Sequence, residues 1–134
     1  METNKLTFEF LKHFNFKNPL PNFRSKATLD KYKTFKNNTK NVSKFIYEKY
    51  LKNKPYCIEK NDFPYITESN MEHYILWINN SFSQNISKVF LENIIKNKMQ
   101  ELGFNEYIFF ENHESVKTIH DILHYQIFFR KISM

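Results

Sequence analysis

Two histidines, each at the head of an apolar run, are the residues of this chain best placed to do chemistry near neutral pH. His73 opens the run 73–78 (HYILWI), and His124 opens the run 124–132 (HYQIFFRKI). A neutral imidazole can serve there as acid, base or nucleophile. Asn61 and Asn112 fall at turns beside the same runs, and an asparagine amide can orient a histidine or bind a phosphate or sugar oxygen. Arg130 is one of only two arginines among 20 basic residues. Its planar fork suits phosphate or carboxylate better than a lysine does. If the two runs are neighbouring strands, His73, His124, Asn61 and Asn112 converge on one edge of a sheet. The plain alternative is that the histidines bond loop backbone and Arg130 pairs with a surface acid.

Other chemistries are poorly served. A single glycine, Gly103, rules out a glycine-rich phosphate loop. Neither a serine nor the lone Cys57 sits in a nucleophile motif, and no paired cysteines form a zinc site. His120 and His124 are four residues apart and would share a helix face, where Cys57 or His73 could complete a metal site. His124 reads as a strand residue, however, and no HExxH-type partner accompanies it. No metal and no cofactor is expected. Trp77, Phe109, Phe110, Phe128 and Phe129 lie in strand-like runs where an aromatic ring is more often core than ligand platform.

These residues need elements to position them. Leu6, Phe10, Leu11 and Phe14 recur at helical spacing, with Thr3 or Asn4 as cap. Residues 15–22 carry Pro19 and Pro21 and should be irregular. A short helix is predicted from Leu29 to Phe35. Another covers Val42, Phe45, Ile46 and Tyr50, capped by Asn38 or Thr39 and stopped by Pro55. Residues 56–58 then read as a strand, residues 61–65 as a Pro-containing turn, and 73–78 as a buried strand. Ile86, Val89, Phe90, Ile94 and Leu102 make the clearest amphipathic helix, with Gly103 at its C-terminal cap. Strands at 106–111 and 124–132 follow, separated by a polar segment.

The fold class is therefore α+β. N-terminal helices precede a strand–strand–helix–strand–strand unit, whose mostly antiparallel sheet carries helices on one face. The basic N-terminal helices would complete the cover or form a flank. The 134 residues should make one domain, 1–134, with a basic helical part (1–54) and a sheet-forming part (55–134). With 15 Phe and 8 Tyr, its core should be rich in aromatic rings.

The net charge of +6 is unevenly spread. Residues 1–60 hold 14 basic and 5 acidic side chains, net +9, while residues 61–134 hold 6 and 9, net −3. Lysines interleaved with aromatics over 31–52 could follow a phosphate backbone, so nucleic acid or an acidic protein is a candidate partner for the N-terminal half. A solvated helix face, or A/T-rich codon usage of the kind a virus or parasite genome shows, accounts for the same lysines. One cysteine excludes a disulfide framework. No apolar run approaches the ~20 residues of a membrane span, and the N-terminus lacks a signal-peptide pattern. An intracellular, cytoplasmic protein without a membrane partner is expected, in the host cell if the source is viral.

The segment NDFPYITESNMEHYILW, Asn61 to Trp77, resembles the central signature of the N-acetylglucosamine-induced protein family, whose biochemical activity is not established. That signature has Asn-Asp-Trp-Pro-Tyr, a His eight residues after the Tyr and a Trp four residues further. Tyr65, His73 and Trp77 keep that spacing, and Phe63 stands for the Trp. A second signature resembles Tyr107 to Arg130, with Asn112, His124 and Arg130 in register. Thr118-Ile119 stands at the usual Ser-Val, and Gln126 replaces the second His of a His-x-His. Arg24, Leu29, Tyr32 and Phe35 echo the helical region upstream, so the resemblance spans about residues 24–131. The family pattern is itself similar to degenerate histidine-triad proteins, which attack a nucleotide α-phosphate.

The resemblance implies a site with His124 and His73 as catalytic candidates. Asn61, Tyr65, Asn112, Thr118, Gln126 and Arg130 would be its ligand contacts. A bound nucleotide or sugar phosphate is the first expectation. A histidine-dependent phosphoester or nucleotide hydrolase is the second, although Gln126 removes one of the alternating histidines that such chemistry uses. A basic interaction module is the third. Whether the chain is an enzyme stays open.

Overall fold

Residues 71–78 and 124–130 form the two central strands of a four-stranded antiparallel sheet, and both are buried on both faces. This explains why they read as continuous apolar runs without clean alternation. The computed structural model describes residues 5–82, 86–112, 119 and 121–132. In chain order the elements are α1 (Phe8–His13), α2 (Lys26–Asn38), α3 (Val42–Ile46), a π-helical turn (Tyr47–Leu51), β1 (Tyr56–Lys60), β2 (Met71–Ile78), α4 (Lys88–Leu102), β3 (Glu106–Phe110) and β4 (His124–Arg130). The strand order is β1-β2-β4-β3.

The predicted α+β class and element order hold. Among the described residues no helix is long and apolar enough to cross a membrane. Side-chain caps set the helix starts: Thr7, Ser25, Asn41 and Ser87 each accept a backbone N–H from the first turn. The first helix begins later than the periodicity predicts because Leu6 is extended. It pairs with Thr67 in a parallel bridge, its N–H donating to the Ile66 carbonyl at 2.8 Å. The helix at Val42 is capped by Asn41, since Asn38 and Thr39 still belong to the end of α2.

Helices cover both faces of the sheet, not one. On one face α4 sends Leu91, Ile94 and Ile95 against Ile58, Leu76, Ile78, Ile127 and Phe129. Fully burying one such side chain contributes roughly 1.5–3 kcal/mol. The other face carries two separate clusters. α1 and its flanks (Leu6, Phe8, Leu11, Phe23) pack on Met71, Phe110 and Phe128. Ile46 and Leu51 pack on Cys57, Ile75, Trp77 and Ile122. The expected aromatic core is present here as a run of ring contacts, with Phe16 on Phe110 at 4.4 Å and His73 on Phe128 at 4.3 Å between centroids. Helix α2 buries no residue. It docks through Tyr32 and Phe35 against Phe63, and Phe35 also meets Phe45.

Gly103 ends α4 with φ 85°, its N–H returning to the carbonyls of the last turn. A Cβ there would meet no neighbour within 4 Å, so only the left-handed backbone resists substitution. Gly103→Ala should therefore cost about 1 kcal/mol in urea unfolding. A loss below about 0.3 kcal/mol would contradict a strained cap.

Candidate functional site

The gap between the two clusters on the N-terminal face is a cavity of about 280 Å³. Its floor is the sheet, from Ile75, Trp77, His124 and Gln126. Antiparallel pairing puts these on one face, because Trp77 stands opposite His124 and Ile75 opposite Gln126. Tyr32 and Phe35 of α2 and Phe45 and Ile46 of α3 wall it. Tyr50, on the π-helical turn, stacks nearly parallel to Trp77, the planes 11° apart. Such turns occur frequently at functional sites. At one rim the Tyr50 hydroxyl donates to Asp62 Oδ2 at 3.1 Å, and Lys49 Nζ lies 3.5 Å from the same oxygen. Burial raises the Tyr50 phenol pKa, so it stays protonated.

The segment from Asn61 to Asn70 forms another wall, and the N-terminal chain pins it. Ile66 N–H donates to the Phe23 carbonyl at 2.8 Å, and Glu68 N–H donates to the Leu6 carbonyl at 3.2 Å. Glu68 Oε1 accepts from Phe8 N–H at 2.7 Å. Asn61 Oδ1 accepts from Phe63 N–H, closing an Asx turn at 2.8 Å. Arg24 Nε donates to the Phe63 carbonyl at 2.7 Å, and the guanidinium lies over the Tyr32 and Tyr65 rings, 5.1 and 5.0 Å from their centroids.

His73 and His124 lie on the same face of the sheet with Gln126 between them. His124 lines the cavity and His73 does not. The His73 ring is 2% exposed and fully engaged. Its Nδ1 accepts from Tyr65 N–H at 3.2 Å, which places the ring proton on Nε2, and Nε2 donates to Gln126 Oε1 at 2.5 Å. The Asn61 amide nitrogen, 3.4 Å from Nε2, is then a neighbouring donor and not a partner. Burial pushes the His73 pKa down to about 3; the Gln126 bond opposes this and the nearby Arg24 charge adds to it. His124 Nδ1–H donates to the Ile122 carbonyl at 2.8 Å. The Trp77 indole Nε1 is buried and has no hydrogen-bond partner among the described residues. Cys57 is buried and its thiol pKa rises to about 11, which removes it as a nucleophile near neutral pH.

Of the residues singled out in the sequence, the fold brings Asn61, Tyr65, Asn112, His124 and Gln126 to the cavity. Thr118 and His120 lie outside the described residues. Arg130 lies away from the cavity, at the far end of β4 opposite Met71 and Glu106. It bonds Glu106 through both Nε and Nη2, approaches Glu9 at 3.8 Å, and covers the Phe8 ring at 4.1 Å. Among the described residues no group of three or more His, Cys, Asp and Glu could hold a metal ion. The cavity's arginine is Arg24, which chain position alone did not single out. The argument from arginine scarcity applied to it as much as to Arg130.

An antiparallel sheet with one helix behind it and a helical roof over a cavity on its other face defines a small α+β fold. The chain belongs to the family described as protein of unknown function (DUF3605), matched over residues 7–130. No match is found among curated proteins. A solved structure, the crystal structure of HTC1, is similar in fold: 18% identity, TM-score 0.52, covering 80% of this chain and 74% of that one.

The buried His73 makes stability depend on pH. The unfolded residue binds a proton below its ordinary pKa of 6.5, whereas the folded one does not until about 3. The unfolded state holds more protons in that window, so stability falls as pH drops through it. The loss from this residue should reach about 2 kcal/mol by pH 5 relative to pH 7.5. Urea unfolding at the two pH values measures it, and His73→Gln should flatten the slope. An unchanged slope in that variant would contradict a neutral buried imidazole.

Proposed function

We propose that this chain binds a small phosphorylated ligand, a nucleotide or a sugar phosphate, in the cavity between α2 and the sheet. The observation that carries this reading is Arg24. Its planar cation is held by the Phe63 carbonyl and two tyrosine faces at the cavity wall, and it forms no ion pair with any described residue. An oriented guanidinium without an acidic partner is a ready receptor for phosphate. The aromatic walls supply stacking surface for a base or the apolar face of a sugar. A volume of about 280 Å³ falls at the lower end of ligand pockets, which run from about 300 to 1,000 Å³.

The resemblance to N-acetylglucosamine-induced proteins, and more loosely to degenerate histidine-triad proteins, is compatible with a phosphate-bearing ligand. The glutamine at position 126 favours binding over turnover. His73 serves in this reading to position Gln126 and Tyr65, since neither of its nitrogens is available to a ligand. Arg130 serves the packing of α1 on β3 and β4.

Calorimetric titration against a panel of nucleotides and sugar phosphates tests this. Arg24→Gln should weaken binding at least tenfold, about 1.4 kcal/mol, while Arg130→Gln should leave affinity within about twofold. A panel with no binder, or a binder indifferent to Arg24, overturns the proposal.

A second reading rests on His124, which lines the cavity with its ring held by the Nδ1–H bond to the Ile122 carbonyl. Imidazole is the side chain that most often attacks or moves a proton at a phosphoester. In this reading dinucleotide turnover is detectable and falls at least 100-fold in His124→Ala. Turnover that survives the substitution removes His124 from the chemistry.

A further inference from the structure

A glutamine amide in a cavity wall can ordinarily turn either end to a ligand, donating through nitrogen or accepting through oxygen. At Gln126 the surrounding bonds remove that freedom. A peptide N–H cannot reverse its polarity, and that of Tyr65 points at His73 Nδ1 from 3.2 Å. Nδ1 must therefore accept, and the ring proton sits on Nε2. Nε2–H in turn needs an acceptor, which is Gln126 Oε1 at 2.5 Å. A reversed amide would set two donors against each other in a buried site, at a cost comparable to a lost hydrogen bond. The Gln126 nitrogen is then the end left over, and no described residue accepts from it.

Two neighbours have the same sign. Asn61 spends its oxygen on Phe63 N–H, so its amide nitrogen is also the remaining end. The Trp77 indole can only donate, and no described residue accepts from it. All three residues line the cavity.

Resting on the reading of the cavity as a ligand site, we infer that Gln126 is a specificity-determining residue whose N–H2 is fixed toward the ligand. His73 is its positioning residue. The ligand group that meets this part of the floor is an acceptor without hydrogens, a carbonyl or phosphoryl oxygen. A hydroxyl can adapt to such a floor by turning its lone pairs inward, but an ammonium or amino group cannot. The neutrality of His73 keeps the relay in one state across the physiological range, since a protonated ring would set a second N–H against that of Tyr65.

The test has a ligand-free arm and a ligand arm. Long-range ¹H–¹⁵N spectra of the uniformly labelled full chain report the His73 tautomer directly. The Nε2–H form is expected, unchanged from pH 8 to pH 5; an Nδ1–H form, or a charged ring at pH 6, overturns the relay whatever binds. In the second arm, AMP and glucose 6-phosphate are titrated while the indole N–H signal of Trp77, the only tryptophan, is followed. Gln126→Glu keeps an acceptor for His73 but turns an anionic oxygen to the cavity, and should weaken whichever phosphate binds at least tenfold. Because a buried carboxylate can unfold the chain, Gln126→Met, of similar length but without N–H, is measured beside it, with thermal unfolding as control. It should weaken binding at least threefold. Wild-type affinity in a folded Gln126→Met variant overturns the inference and leaves the site standing. If neither phosphate binds the wild type, the phosphorylated-ligand reading falls and the amide's polarity is decided by the tautomer alone.

Discussion

The hydrogen bond from the Tyr65 peptide N–H to His73 organises the His73–Gln126 pair, because its polarity cannot be exchanged. Side-chain amides flip and imidazoles change tautomer, whereas a backbone N–H only donates. Its position is set by the pinned segment from Asn61 to Asn70, which Leu6, Phe8, Phe23 and Arg24 hold from the N-terminal side. The relay through His73 to Gln126 therefore depends on chain some 40 to 60 residues away in sequence. The α1 region contributes to the site without touching the cavity.

The sheet sets the geometry beneath that relay. Central strands buried on both faces fix their register strongly, since a slip by one residue would move every side chain to the opposite layer. With β2 and β4 in the observed register, Trp77, His124, Gln126 and His73 fall on the N-terminal face. The α4 face takes the apolar and phenolic cluster of Tyr74, Leu76, Ile78, Ile127 and Phe129, with the Glu72–Lys60 pair at its edge. The cavity exists because the two N-terminal clusters do not meet, one built by α1 and the other by α3 with its π-helical turn. Helix α2 bridges the gap with aromatic edges and no buried residue, so the roof is held by far less apolar burial than the floor. Elements with few buried apolar contacts open at lower free energy, and α2 is the element of that kind over the cavity.

The two arginines show how environment, not type, assigns a role. Arg130 is nearly enclosed, meets two carboxylates and covers a phenyl ring, so its charge is compensated within the protein. Arg24 has one carbonyl and two ring faces, contacts that orient a cation without neutralising it. The two histidines differ in where they stand. His73 is buried with both nitrogens bonded, and its burial holds it neutral. His124 keeps Nδ1 on a carbonyl beside the cavity.

By itself the sequence determined the α+β class, the order of the elements and the stop of α4 at Gly103, because these follow from local periodicity, capping chemistry and the one residue that tolerates a left-handed backbone. It also marked the β2 and β4 runs whose side chains floor the cavity, since continuous apolar residues with a histidine at the head are unusual in any strand. Tertiary structure alone decided which arginine reaches the cavity and which of the two imidazoles faces it. It also placed helices on both faces of the sheet and brought the Trp77 indole and the Gln126 amide to one floor. Those outcomes depend on pairing between segments some 40 or more residues apart, where the energy of a contact is set by what surrounds it. No local pattern in a chain encodes its surroundings.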